Sequence, residues 1–127
     1  MELNDVDIEI LNTLGKFKCE EYINANKATT FNLPNLREAG FINAKKATTV
    51  NLPNLQKARF INAPYATTLK LPNLQEAEFI NASYAKKIII PSHLKNRIPL
   101  VPDDCKFIHP DLEATPKLES FKTFFYK

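Results

Sequence analysis

A repeat of nineteen residues occupies the middle of this sequence and constrains its fold more than any other feature. Three consecutive segments, which begin at Ala28, Ala47 and Ala66, superimpose with hardly a mismatch in their apolar positions. They read ATTFNLPNLREAGFINAKK, ATTVNLPNLQKARFINAPY and ATTLKLPNLQEAEFINASY. A short fixed period is the signature of a solenoid, in which each unit buries its apolar side against the next unit.

Weaker copies of the unit extend the repeat over residues 14–91. An earlier copy retains residues 22–25, and a later copy begins at Ala85 and keeps a proline at Pro91, after which the register is lost. A chain of 127 residues can bury one core and is too short for two ordinary domains. The sequence therefore predicts one domain, 1–127, divided into an N-terminal cap over 1–13, repeats over 14–91, and a C-terminal cap and tail over 92–127.

The apolar spacing within one unit predicts a strand followed by turns. Residues around Ala58 and Phe60 alternate with period two, and Pro53 favours a turn because it cannot donate a ladder hydrogen bond. The unit reads L-x-x-L-x-x-L-x-L-x-x-N-x-L, and in this skeleton the chain resembles the leucine-rich-repeat family, most closely its irregular short prokaryotic and phage-type variants. The resemblance implies a mainly β, short right-handed solenoid with an irregular or helical C-terminal cap.

Two features depart from the leucine-rich-repeat pattern. Alanines such as Ala63 hold the family's buried asparagine position, so the asparagine ladder is either absent or moved one residue earlier to Asn62 and its equivalents. The period is also shorter than the roughly 20 to 29 residues of that class. A two-sided or three-sided β-helix of another kind remains an alternative, because residues 67–71 could form a second short strand in the unit.

The flanking segments have the composition of solenoid caps, which cover apolar core and open strand edges. Residues 2–14 carry apolar side chains among acids, which predicts an edge strand or a short amphipathic cap. Residues 106–108 are typical of a last strand. Residues 118–127 place Leu118 and Phe121 at near-helical spacing with further aromatics, and we expect this tail to form a lid.

The resemblance also implies which side chains point outward from the strand face. Alternation places Phe41, Phe60 and Phe79 inward and the neighbouring isoleucines outward. In the alternative, the strand ends or bulges after the phenylalanine, and the phenylalanine and the isoleucine of each unit both point inward. In the charged columns, Lys57 is expected between two glutamates and Arg59 beside a third, so that the charges neutralise one another. The outward columns are Lys18, Arg37, Gln56 and Gln75; Cys19, Glu38, Lys57 and Glu76; Glu21, Gly40, Arg59 and Glu78; and Ile23, Ile42, Ile61 and Ile80.

Polar columns beside this face have mainly structural interpretations. Asparagines that recur at Asn24, Asn43, Asn62 and Asn81 are expected to stack their amides along the solenoid. An edge with lysine and tyrosine follows, formed by residues 26–27, 45–46, 64–65 and 83–84 with 86–87. Such an edge could bind phosphate or an acidic protein, but lysine stems often lie over apolar surface instead.

Composition argues against several classes of function. The net charge of +3 comes without an obvious basic patch or arginine-rich arm, so a nucleic-acid partner is not expected. No apolar run approaches the roughly 20 residues of a membrane span. The acidic N-terminus lacks the features of a secretory signal, and Cys19 and Cys105 would lie too far apart to bridge, which together predict a cytoplasmic protein.

The only residues that suggest chemistry lie after the repeats. Cys105 and His109 with nearby aspartates could begin a metal site or a nucleophile pair, but no paired-ligand motif, glycine-rich phosphate loop or nucleophile elbow accompanies them. The aspartates beside Pro102 and Pro110 fit ordinary turns. We therefore expect no enzymatic activity, no metal and no cofactor.

These observations predict a non-enzymatic binding module that holds a protein partner on the strand face. By analogy of size and fold, blocking a larger complex in the manner of a phage or mobile-element anti-defence or anti-CRISPR inhibitor is one expected role. The alternatives are a self-assembling subunit, such as a homodimer, and a nucleic-acid binder that uses the lysine and tyrosine edge. The predicted contact residues are Arg37, Glu38, Ile42, Asn43, Gln56, Lys57, Arg59, Ile61, Asn62, Gln75, Glu76, Glu78, Ile80, Asn81, Phe121 and Phe125.

Overall fold

The computed structural model describes residues 2–12 and 17–113, and it is a mainly β solenoid of about five stacked turns. This confirms the predicted fold class. The elements are helix α1 (Asp5–Leu11), strands β1 (Phe17–Asn24), β2 (Thr30–Asn32), β3 (Leu36–Asn43), β4 (Thr49–Asn51), β5 (Lys57–Asn62), β6 (Thr68–Lys70), β7 (Phe79–Asn81) and β8 (Lys87–Ile89), a 3-10 helix (Ser92–Arg97), strand β9 (Lys106–Ile108) and helix α2 (Pro110–Glu113).

Each repeat contributes one strand to each of two parallel sheets. The first sheet has the order β1-β3-β5-β7, and the second has the order β2-β4-β6-β8-β9. Equivalent residues pair across neighbouring turns, as Ile42 pairs with Ile61 and Thr49 with Thr68. The second sheet confirms the alternative in which residues 67–71 contain a strand of their own. The first sheet has the longer strands and therefore offers the broader face.

The interior of the solenoid is a continuous column of leucine, isoleucine, valine and alanine. In one turn, Leu52, Leu55, Ala63 and Leu69 are all fully buried. Full burial of one such leucine stabilises the fold by about 1.5 to 3 kcal/mol relative to its exposure. Alanines at the turns let the chain change direction close to the core, since a larger side chain there would have to displace the leucines.

The outward position predicted for the isoleucine column is wrong. Ile23, Ile42, Ile61 and Ile80 have exposed fractions of 0 to 1%, whereas Phe60 is half-buried and Phe79 is 38% exposed. In β5 the burial pattern runs buried, exposed, intermediate, buried from Ala58 to Ile61, so alternation shifts by one residue between them. Two consecutive side chains, those of Arg59 and Phe60, therefore point away from the core.

Asparagines of the Leu-Pro-Asn-Leu turns join one coil to the previous one. Asn54 Nδ2 donates to the Pro34 carbonyl at 2.6 Å, and Asn73 Nδ2 donates to the Pro53 carbonyl at the same distance. The proline thus ends the second-sheet strand, and the asparagine after it satisfies a carbonyl that would otherwise lack a donor from the ladder. The turn predicted at Pro53 is confirmed.

The N-terminal cap is an amphipathic helix. Asn4 and Asp7 form a capping box at its start, and Ile8 packs into the core. Before the helix, the Leu3 amide donates to the Asn24 carbonyl at 2.7 Å, which covers the edge of β1. Of the two forms expected for this segment, an edge strand or a short amphipathic cap, the described residues 2–12 contain the amphipathic helix.

At the other end, the repeat continues beyond the point where the sequence appeared to lose it. Strand β9 pairs with β8 at a separation of nineteen residues, and Ile90 is likewise bonded to His109. The 3-10 helix follows β8 and buries Leu94, and Ile98 directly after the helix is also buried. The last strand predicted at residues 106–108 is confirmed, while the predicted tail over 118–127 lies outside the described residues.

Candidate binding surfaces

Aromatic side chains form a row on the outer surface of the first sheet. We call Tyr22, Phe41, Phe60 and Phe79 the aromatic ladder. The rings of Tyr22 and Phe41 are stacked with centroids 5.0 Å apart, and those of Phe41 and Phe60 are 5.7 Å apart. At the two ends, Tyr22 is 40% exposed and Phe79 is 38% exposed. The ladder is an apolar strip that crosses all four strands of the sheet.

A row of amides runs beside the aromatic ladder. Asn81 Nδ2 donates to Asn62 Oδ1 at 2.9 Å, and Asn62 Nδ2 donates to Asn43 Oδ1 at 3.1 Å. Asn43 Nδ2 in turn donates to the Tyr22 hydroxyl at 2.8 Å. The predicted stacking of the asparagine column is confirmed for Asn43, Asn62 and Asn81, whereas the Asn24 side-chain oxygen accepts a hydrogen bond from the Asn26 amide instead. Because these donors and acceptors are paired along the solenoid axis, the amides order the edge of the aromatic ladder.

Charged side chains border the ladder on its other side. Arg59 forms an ion pair with Glu78 at 3.3 Å and also lies over the Phe60 ring at 5.7 Å. Lys57 is aligned between Glu38 and Glu76, as predicted. Exposed pairs of this kind contribute about 0 to 1 kcal/mol each, so this border adds little to the stability of the fold.

The first turn departs from the predicted columns. The register shifts between Phe17 and Lys18 and again between Cys19 and Tyr22, so Lys18 lies beside Glu38 and forms an ion pair with it at 3.4 Å. Lys18 was expected in the column of Arg37, and Cys19 in that of Glu38; Cys19 instead pairs with Ala39. A bulge of this kind inserts an extra residue into one strand, which the spacing of the apolar residues did not reveal.

The predicted contact residues divide into four groups by exposure. The buried ones, which cannot touch a partner, are Ile42, Ile61 and Ile80. The half-buried ones are Arg37, Glu38, Asn43, Gln56, Asn62 and Asn81. The exposed ones are Lys57, Arg59, Gln75, Glu76 and Glu78. Phe121 and Phe125 lie outside the described residues.

A second pair of stacked aromatics occupies the lysine and tyrosine edge, where the chain turns from the first sheet to the second. Tyr65 and Tyr84 are 53% and 60% exposed, and their rings are nearly parallel, with centroids 5.3 Å apart. They follow Lys27 and Lys46 in the same column of the repeat. This edge therefore combines flat rings with positive charge.

Both histidines of the chain, His93 after the repeats and His109, lie at hydrogen-bonding distance from backbone carbonyls. The His109 ring places Nδ1 2.7 Å from the Ile90 carbonyl, and the His93 ring places Nε2 2.8 Å from the Gln75 carbonyl. Burial, together with the nearby Asp104 carboxylate, raises the pKa of the Cys105 thiol, which makes its nucleophilic form scarcer at neutral pH. Across residues 2–12 and 17–113, histidine, cysteine and acidic side chains nowhere gather in a group that could hold a metal ion.

Asp111 closes the last turn by accepting hydrogen bonds from the hydroxyl and the backbone amide of Ser92, and these bonds lower the pKa of its carboxyl. A carboxyl whose pKa is lowered by folding stabilises the fold at pH values above its unfolded-state pKa. This stabilisation is lost as the pH falls through the lower, folded-state pKa. We expect an NMR titration to place the Asp111 pKa below the ordinary aspartate value, and S92A to raise it. An unchanged pKa in S92A would show that Ser92 does not hold this carboxylate.

Two further findings concern the setting of the protein. The two cysteines, Cys19 and Cys105, are free thiols. None of the helices in the described ranges is long and apolar enough to cross a membrane.

No protein-family model, curated protein or solved structure matches the chain. Its surfaces are therefore the basis for assigning a function.

Proposed function

We propose that this protein is a non-enzymatic binding module that holds a protein partner on its first sheet, with the aromatic ladder at the centre of the contact. The observation that carries the proposal is the outward orientation of Tyr22, Phe41, Phe60 and Phe79 in four successive strands. A contiguous apolar strip on a solvent-exposed protein surface usually marks an interaction site. Aromatic side chains also dominate the energetic centres of protein interfaces.

The surroundings of the aromatic ladder have the arrangement of a protein interface. Phe41, Phe60 and Phe79 line a shallow cleft together with Asn62 and Asn81. Beyond the cleft lie charges of both signs. Interfaces commonly have an apolar centre and a polar rim, so we expect the partner to insert an apolar side chain into this cleft and to present mixed charges around it.

We further propose that the chain is related to leucine-rich repeats, that it blocks a larger complex and that it acts in the cytoplasm. Leucines at Leu52 and Leu55 and an amide ladder one position earlier than usual support kinship with leucine-rich repeats. A prominent contact face is suited to blocking a larger complex, which is the role we propose by analogy with phage anti-defence and anti-CRISPR inhibitors. Free thiols at Cys19 and Cys105 support a reducing, cytoplasmic setting.

Self-assembly is the second candidate, and one observation favours it. Lys57 and Arg59 lie in one strand segment, while Glu76 and Glu78 lie in the next. Two copies related by a two-fold axis between these segments would place each positive pair opposite a negative pair of the other copy. Light scattering across a dilution series tests this candidate, because a constant monomer mass would exclude it.

The protein-binding proposal is tested by affinity purification from the native host with three tagged proteins. The wild type is compared with the double variant F60A/F79A and with the matched control Y65A/Y84A, which removes two stacked aromatics from the other surface. We expect the ladder variant to recover at least about tenfold less of a specific partner, since each hot-spot side chain contributes about 2 kcal/mol or more. The control should recover as much as the wild type.

Circular dichroism and the urea midpoint establish that each variant is folded. Equal recovery of the partner by a folded F60A/F79A protein would contradict the assignment of the aromatic ladder. Equal loss with Y65A/Y84A would contradict the assignment of the first sheet as the contact surface.

A further inference from the structure

The lysines of the repeat are separated from its acidic residues by the fold. Segments 24–35, 43–54, 62–73 and 81–92 together carry six lysines and no aspartate or glutamate. These segments form the turn that follows the first sheet and the whole strand of the second sheet in each coil. The acidic residues of the repeats lie instead in the first-sheet segments. One side of the solenoid is therefore uniformly positive, although the net charge of the whole chain is only +3.

We call this side the basic face. Its lysines are Lys27, Lys45, Lys46, Lys70, Lys86, Lys87 and Lys106. Lys70 is half-buried and the other six are exposed. Within the described ranges, both ion pairs of the structure lie on the first sheet, so the basic face keeps its charge. Acidic residues lie at its two ends. In the first coil, Asp5 is bonded to Thr29, and Glu2 and Asp7 line a cleft with Lys27; in the last coil, Asp103 and Asp104 precede β9 and Asp111 is bonded to Ser92.

The stacked tyrosines lie within the basic face. Tyr84 contacts Tyr65 through one side of its ring, and beside it is a shallow cleft lined by Ser83 and by residues 99–102. Leu100, in that cleft, is 64% exposed. A cleft with an aromatic ring and an aliphatic neighbour can accept a flat apolar ring, and Lys86 and Lys87, which follow Tyr84 in the chain, attract negative charge.

We propose that the basic face binds single-stranded nucleic acid, with phosphates at its lysines and a base stacked at the Tyr84 cleft. Equivalent positions recur about every 4.8 Å along the solenoid, which sets Lys27 beside Lys46 and Lys87 beside Lys106, with the other lysines of the face between these two pairs. Single strands expose the faces of their bases to aromatic side chains, whereas a duplex keeps its bases stacked inside. An acidic polypeptide would satisfy the lysines but would leave the Tyr84 cleft unused.

This inference goes beyond the proposed protein-binding function, because it uses the second sheet and the turn before it. The two surfaces can be separated by variants. F60A/F79A should bind nucleic acid like the wild type, and Y65A/Y84A should retain the protein partner. Failure of one proposal therefore leaves the other intact.

The charge component is tested by fluorescence anisotropy with a labelled 20-nucleotide oligothymidylate over a series of salt concentrations. For single strands, the logarithm of the affinity falls with the logarithm of salt by about 0.7 for each phosphate contact. We expect K45A/K46A to make this slope less negative by about 1.4. The control K57A/R59A changes the net charge equally on the first sheet and should leave the slope unchanged.

The stacking component is tested with Y84L and with the conservative variant Y84F in the same assay. Loss of one base–aromatic stack should weaken binding about tenfold in Y84L, while Y84F should bind like the wild type. A duplex of the same length and polyglutamate of equal charge should compete poorly for the labelled strand. No binding of the oligonucleotide, equal effects of the two charge variants, an unaffected Y84L protein or equal competition by polyglutamate would each overturn the proposal.

Discussion

Replacing Ile61 by alanine is expected to lower the free energy of unfolding by about 2 to 5 kcal/mol, the usual cost of truncating a buried isoleucine. Ile61 is 1% exposed and lies between Ile42 and Ile80, which are equally buried in the adjacent strands. The cavity created by I61A would therefore be enclosed by side chains on both neighbouring coils. Because solenoid turns are stabilised by their neighbours, the loss should be transmitted to the adjacent coils.

Chemical denaturation monitored by circular dichroism measures this effect. The matched control is F79A, which removes a larger side chain from a position that is 38% exposed. We expect F79A to cost less than half as much as I61A, because the truncated side chain was already in contact with water. A larger loss in F79A than in I61A would show that the phenylalanines, and not the isoleucines, face the core.

Replacing Asn62 by alanine is expected to cost about 1 to 3 kcal/mol, which is the sum of two hydrogen bonds of ordinary net strength. Asn62 donates to Asn43 and accepts from Asn81, so the variant interrupts the amide row at its centre. The control is N54A, which removes one exposed side-chain bond to the Pro34 carbonyl. The unfolding midpoint should fall further for N62A than for N54A, and equal midpoints would indicate that the amide row does not stabilise the solenoid.

The period of the repeat could be predicted from the sequence because it depends on apolar spacing. The second sheet was left as an alternative, since a strand of three residues such as Thr68–Lys70 is too short to show alternation. The continuation of the period to β9 was missed although Lys106 and Ile108 repeat the residue types of Lys87 and Ile89, because residues 92–105 between the two strands do not follow the repeat.

The orientation of the aromatic ladder was the main error, and the sequence contained one sign of it. Tyr22 takes the position that Phe41 and Phe60 hold in later units, and a hydroxyl is accommodated more easily in water than in an apolar core. The neighbouring isoleucine is the same in all four units. The alternation that begins at Ala58 nevertheless predicted an inward Phe60. A shift of alternation within a strand cannot be seen in the spacing of the apolar residues.

The basic face could not be found from the net charge. Lysines of the turn and of the second sheet are spread through the sequence, and residues such as Lys57 and Arg59 are interspersed with them. Only the assignment of each segment to one of the two sheets shows that the acidic residues are confined to the other sheet. The structure thus separates an aromatic surface with mixed charges from a uniformly positive one.

The most direct measurement of the central claim is site-specific photo-crosslinking in the native host. A benzoylphenylalanine replaces Phe79 on the aromatic ladder in one protein and Thr49 on the second sheet in another. We expect a discrete protein adduct from position 79 that is absent from position 49. The same protein adduct from position 49 alone, or equally from both positions, would contradict the assignment of the first sheet as the partner-binding surface.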